Sequence, residues 1–256
     1  MKTMSFYSAK GGVGKSTHTI MFASYLAYVE GAKVVVIDVD FPMMPIDKYR
    51  YFDLKEYSDP ESDVSLVTSF RGGSFVPYKV MSLNPGDDLA KSNLDLLMHD
   101  RLRKFIDSDE GRSYDYVLVD FNASFLRKSV AYRAISSGVL DYVVVPVNTD
   151  FMCRKAVYDS CVTFKQLDQR FKLFWNNVFP AELEFPYYLE TGEKFLCEPG
   201  FEFYPERIKT FKCVTDKNNW MYILRNTLCF PIRHVELACP ELIPFYQHVK
   251  RDLDSL

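Results

Sequence analysis

The chain lacks what would mark a secreted, membrane-spanning or metal-templated protein. Its six cysteines, Cys153, Cys161, Cys197, Cys213, Cys229 and Cys239, form no Cys-x-x-Cys pair, and no His/Cys group has zinc spacing. A disulfide framework is not expected in 256 residues without a secretion signal, so the thiols read as reduced. Met1 to Ala9 is too short for a signal peptide and runs straight into a glycine turn. No apolar run reaches the roughly 18 to 20 residues needed to cross a bilayer. A cytoplasmic protein with no transmembrane segment is therefore expected. Internal repeats and low-complexity tracts are also missing. Neither sign of charge dominates: a net charge of −3 gives nucleic acid no global attraction, so any DNA contact needs a local basic patch.

What remains is an ordinary globular mixture, 48% hydrophobic and 25% charged, at a length suited to one large α/β domain. Met4 to Ala9 reads as a short buried strand, residues 9–15 as a glycine turn, and Ser16 to Val29 as a helix with Ile20, Phe22, Ala23, Leu26 and Ala27 at helical spacing. Gly31 ends that helix. Val34-Val35-Val36-Ile37 is a continuous β-branched run, the signature of a strand covered on both faces. Further buried strands are expected at Tyr116 to Asp120, Tyr142 to Val147 and Lys172 to Val178, with helical stretches at Arg127 to Gly138 and about Cys153 to Arg170. Strands alternating with helices predict an α/β fold with three layers, a mostly parallel sheet with helices on both faces, and ligands at the C-terminal strand ends. The chain reads as a single domain over residues 1–256. Residues 180–217, broken by Pro186, Gly192, Pro199, Gly200 and Pro205, read as an irregular insertion or a hairpin.

The strongest chemical signal is Lys10-Gly11-Gly12-Val13-Gly14-Lys15-Ser16-Thr17. Phosphates need many donors converging on a small volume. Glycines let successive backbone N–H groups turn inward, and the following helix adds its N-terminal donors and dipole. Lys15 can reach the β- and γ-phosphates of ATP, and the Ser16 hydroxyl can ligate Mg²⁺. Ala9 stands where the generic motif has its first glycine. Asp38, Asp40 and Asp120 each follow a buried run. They are therefore expected at the ligand side of the sheet, as metal-site carboxylates or as helix caps.

This pattern resembles the ParA/MinD group of P-loop ATPases with a deviant Walker A motif, whose mark is the extra early lysine, here Lys10. Val35 to Asp40 is similar to the group's second strand with its Asp-x-Asp ending, Tyr114 to Asp120 to its Walker B strand, and Asp141 to Val147 to the strand that follows. The nearest resemblance is to ParA-like proteins of plasmids and conjugative elements. It implies that Lys10 crosses a dimer interface to the partner's nucleotide, that Asp40 positions the attacking water, and that Asp120 holds the metal's water shell with Asp38 nearby. It also implies an ATP-dependent homodimer, non-specific DNA binding and a ParB-like activating protein. Adenine is read in the group by an Asn at a later strand end, for which Asn176 and Asn177 are the candidates. Phe121-Asn122-Ala123-Ser124 replaces the two prolines of the usual nucleotide-sensing switch, which puts the coupling of hydrolysis to switching in doubt.

Rival readings are a MinD-like membrane switch and an ATP-dependent carboxylate-activating ligase. The first needs a basic amphipathic C-terminal helix, and the stretch His248 to Leu256 reads as mixed in charge and weakly amphipathic. Candidate DNA contacts are Arg207, Lys209, Lys212, Lys217, Arg225, Arg233, Lys250 and Arg251.

Overall fold

The run Val34-Val35-Val36-Ile37 becomes a strand in which every residue is buried, as expected of β-branched side chains packed from both faces. The computed structural model describes residues 1–39, 52–53, 64–67, 69–70, 78–83, 93–125, 127–148, 150–176, 200–208 and 241–256. In chain order its elements are β1 (Lys2–Phe6), α1 (Lys15–Tyr28), β2 (Val34–Asp38), β3 (Phe52–Asp53), β4 (Val64–Val67), β5 (Ser69–Phe70) and β6 (Lys79–Leu83). Then follow α2 (Leu94–Asp107), α3 (Asp109–Arg112), β7 (Tyr116–Asp120), α4 (Val130–Ser136), β8 (Tyr142–Val147), α5 (Phe151–Gln166), β9 (Phe171–Asn176), β10 (Phe203–Ile208) and α6 (Leu242–Asp254).

Eight strands form one sheet in the order β10-β9-β8-β1-β7-β2-β6-β4. All neighbours run parallel except the edge pair β4 and β6. β3 and β5 form a separate antiparallel pair. The period-two alternation of the strands divides the core. Met4, Phe6, Val34, Val36, Leu118 and Val144 pack on one face with α1 and α6. Val35, Ile37, Val117, Val119, Val143 and Val145 pack on the other with α2, α4 and α5. This is the three-layer P-loop NTPase architecture expected from the sequence.

Two elements depart from that expectation. Within the stretch taken as an irregular insertion, Phe203–Ile208 is a parallel edge strand on β9. Residues 177–199 and 209–240 lie outside the described residues. Pro205 is tolerated because an edge strand has one side without ladder bonds, and the register shifts between Phe203 and Arg207.

The second departure corrects the reading of the tail as weakly amphipathic. In α6, Leu242, Phe245, Tyr246, Val249 and Leu253 recur at helical spacing and are all buried. Its polar face is held as well: the Asp252 carboxylate accepts bonds from Tyr204 Oη at 2.7 Å, Tyr142 Oη at 3.2 Å and Lys172 Nζ at 3.3 Å. Among the described residues no helix is long and apolar enough to cross a membrane.

Candidate nucleotide-binding site

β1 ends at Phe6, and the chain turns through residues 7–14 before α1 begins at Lys15. Gly14 caps α1 with φ of 98° and, as glycine, offers the first turn no side-chain cap. In α4 and α5, by contrast, Ser129 and Asp150 accept bonds from the helix N-terminus. The N-terminal donors of α1 and its positive dipole end are thus presented to whatever the loop holds. Gly12 also has positive φ, 75°, and a side chain at position 11 or 12 would meet nothing within 4 Å, so the loop's tip is open. Position 14 differs: a Cβ there would lie 2.6 Å from Asn176 Nδ2. Only glycine satisfies both the backbone angle and the close approach.

The side chain of Lys15 is drawn across the loop. Its ammonium donates to the Lys10 carbonyl at 2.9 Å, and the residue is 8% exposed. Ser16 and Thr17 are half-buried on the first turn of α1, and Lys10 is half-buried on the loop. The sequence reading had no part for Cys153. Its thiol is held above the ordinary value by burial, while the charges of Lys10 and Lys15 are among the influences pulling it down. Cys153 and the first turn of α5 therefore lie within the electrostatic reach of both loop lysines. Like Cys161, Cys153 is a buried free thiol.

Asp38 and Asp120 close β2 and β7 and stand opposite each other in register. They are 2% and 0% exposed. β1 pairs with β7 so that Met4 lies beside Leu118. The phosphate loop therefore leaves the sheet at the same end as both carboxylates. Two carboxylates and the Ser16 hydroxyl form an all-oxygen donor set, which suits Mg²⁺. That ion takes one or two carboxylates and keeps most of its remaining coordination for water and phosphate. Among the described residues no group of three or more His, Cys, Asp or Glu could hold a metal by itself. Asp40 lies outside the described residues.

Asn176, one of the two adenine candidates, closes β9 and meets the loop at Val13. It is 1% exposed; its Nδ2 donates to the Val13 carbonyl at 2.7 Å and its Oδ1 faces His18 Nε2 at 3.2 Å. The amide lies beneath the loop because both its ends have partners inside the protein. Asn177 lies outside the described residues. The turn after Asp120 is pinned without prolines. Phe121 is buried, Asn122 Oδ1 accepts from the Ser124 N–H at 3.0 Å, and the rings of Phe121 and Phe125 pack on Tyr7.

Of the basic candidates, Arg207 and Arg251 are exposed. Lys250 is engaged by Asp254 at 2.7 Å and Glu30 at 3.6 Å. Lys209, Lys212, Lys217, Arg225 and Arg233 lie outside the described residues.

Residues 1–44 match the family model described as an AAA domain. No curated protein matches the chain. Among solved structures, the chain is similar to McdA of Cyanothece in its complex with ATP, with a TM-score of 0.64 and 15% identity over 99% of this chain and 96% of that one. It is also similar to a chain of the MinC:MinD cell division complex of Aquifex aeolicus, with a TM-score of 0.61 and 17% identity over 98% and 96% of the two chains. A putative plasmid partition protein of Borrelia burgdorferi bound to AMPPNP gives 0.56 and 20% identity over 97% and 99%. These likenesses establish the fold. With the match at the phosphate loop, they support the resemblance to ParA/MinD P-loop ATPases read from the motifs.

Proposed function

We propose that this chain acts, as one domain, as a ParA-like Mg-ATP-dependent ATPase. It dimerises on binding ATP, positions or partitions DNA or a protein cargo, and is reset when a ParB-like partner stimulates hydrolysis. The observation that carries this reading is one loop bearing two lysines, with the Lys15 ammonium resting on the Lys10 carbonyl and the carboxylates of Asp38 and Asp120 at the same end of the sheet.

In this reading the backbone N–H groups of residues 11–16 bind the phosphates, and Lys15 leaves the Lys10 carbonyl for the β- and γ-phosphates. That exchange frees the peptide at Lys10 to move as nucleotide enters, so the second lysine can turn towards a partner subunit. Ser16, Asp38 and Asp120 would hold Mg²⁺ through its water shell, and the ion would neutralise charge between the β- and γ-oxygens. Asp40 orients the water that displaces ADP from the γ-phosphoryl group. The packing of α6 into the core weighs against a membrane-associated switch, because the helix's apolar face already has an occupant.

The test is molecular mass in solution with ADP, with ATP and with ATP plus duplex DNA. Monomer with ADP, dimer with ATP, and DNA binding confined to the ATP state are expected. The DNA affinity should fall with salt at a log–log slope of roughly −4 to −7, corresponding to about four to eight phosphate contacts. A dimer without DNA binding would leave a switch with a protein cargo. ATP turnover without any dimer would favour the carboxylate-activating ligase.

A further inference from the structure

His18 is completely buried on the first turn of α1, boxed by aromatic rings: Phe174 at 4.9 Å between centroids, Phe6 at 5.6 Å and Phe245 at 6.1 Å. A leucine would fill such a position without the cost of burying two ring nitrogens. Both nitrogens, however, are used. Nε2 faces Asn176 Oδ1 at 3.2 Å and Nδ1 faces the Tyr246 hydroxyl at 3.1 Å.

The direction of each bond follows from its fixed end. The Val13 carbonyl can only accept, so the group facing it at 2.7 Å is the Asn176 amide N–H, which turns Asn176 Oδ1 towards His18. That oxygen can also only accept, so His18 Nε2 carries the proton. With Nε2 carrying the proton, Nδ1 is the ring's acceptor, and the Tyr246 hydroxyl 3.1 Å away donates to it. One oriented chain runs from Tyr246 on α6 through His18 on α1 and Asn176 on β9 to the loop at Val13. In a trans peptide the C=O and the next N–H point in opposite directions. Holding the Val13 carbonyl down on Asn176 therefore turns the Gly14 N–H up, away from the core.

We infer that His18 is a positioning residue for the phosphate loop: through Asn176 it fixes the Val13–Gly14 peptide so that the Gly14 N–H is aimed at a bound phosphate. Tyr246 extends this control to α6. The inference rests on the nucleotide-binding reading above. Its physical content is preorganisation: a loop held in its binding geometry before ligand arrives loses less conformational freedom on binding.

The experiment measures the equilibrium affinity of the full chain for a fluorescent ADP analogue and for ATP, alongside thermal melting. Wild-type protein is measured first. If it binds no nucleotide, the functional reading fails and this inference with it. If it binds, His18→Leu should weaken both ligands by about tenfold, the scale of one buried hydrogen bond removed from an anchoring chain. His18→Gln, which can present an N–H where Nε2 stood, should recover most of the loss. Asn176→Asp, nearly isosteric but without a donor for the Val13 carbonyl, should bind as poorly as His18→Leu or worse, and it serves alone if His18→Leu does not fold. Wild-type affinity in folded His18→Leu or in Asn176→Asp would overturn the assignment. So would a His18→Gln protein that melts with wild type yet binds no better than His18→Leu.

Discussion

The phenol of Tyr7 donates a hydrogen bond to the Ser124 carbonyl at 2.9 Å. Tyr7 immediately follows β1 at the start of the phosphate loop, and Ser124 lies in the turn that follows Asp120. Burial raises the Tyr7 pKa, so the hydroxyl stays protonated and remains a donor. This bond directly links the phosphate loop to the turn that replaces the prolines of the related ATPases. Tyr7→Phe keeps the ring packing and removes only the bond. It should lower stability by about 0.5–1.5 kcal/mol. It should also reduce the change that ATP produces in amide exchange over residues 121–125. An identical ATP response in the variant would make the contact passive packing.

Lys15→Ala tests the loop's chemistry. Removing the ammonium that crosses the loop should abolish ATP binding or turnover, as read by nucleotide titration and phosphate release. A variant with normal values for both would refute the phosphate-loop assignment.

Asp40→Ala should separate binding from chemistry. Mg-ATP should still bind and the ATP-bound dimer should accumulate. Hydrolysis should fall roughly 10²-fold or more, the scale of losing one group that organises the transition state. Loss of binding with any remaining turnover unchanged would assign Asp40 a different role.

If Lys10 acts on the phosphate of the other subunit, as proposed, Lys10→Ala should bind nucleotide as a monomer but form no dimer with ATP. Its mass in ATP is the readout. Normal dimerisation would group the protein with ordinary P-loop enzymes.

Acid stability carries the signature of His18. Its folded pKa, about 4, lies below the ordinary 6.5, so the unfolded chain binds a proton that the native protein refuses. Stability should therefore be complete above about pH 6.5 and decline as pH falls towards 4. The slope from this one group should be at most about 1.4 kcal/mol per pH unit. Denaturant titrations of His18→Gln should show a shallower decline over the same window. An unchanged slope would mean that the imidazole is protonated in the native state.

The parts of this site that were legible in the sequence are those with few physical alternatives. A glycine turn ending in Lys15-Ser16 has few uses other than cradling phosphate, and runs such as Val34 to Ile37 can be buried on both faces only in an inner strand. Asn176 is less legible, because an amide at a strand end can face a ligand or brace a loop. The 2.7 Å contact with Val13 shows the bracing, which no spacing in the sequence announces. His18 gave no signal, since a single histidine in an apolar helix looks the same whether it is packed or oriented. The stretch His248 to Leu256 reads as mixed in charge because it leaves out Phe245 and Tyr246 just upstream, which anchor the helix's apolar face.

The position of β1 has a consequence for how the protein is made. Met4 hydrogen-bonds within a ladder whose neighbours are Leu118 on one side and Tyr142 on the other. At roughly 5–20 residues per second, a ribosome needs on the order of ten seconds to deliver both partners after β1 emerges. Until then the phosphate loop has no sheet to spring from, and Phe6, Phe22 and Tyr25 wait still longer for the α6 ring of Tyr246 that packs on them. Nascent chains halted before β8 should thus expose the apolar residues of β1 and α1 and recruit chaperones. β1 is made before its sheet partners and becomes native only with them.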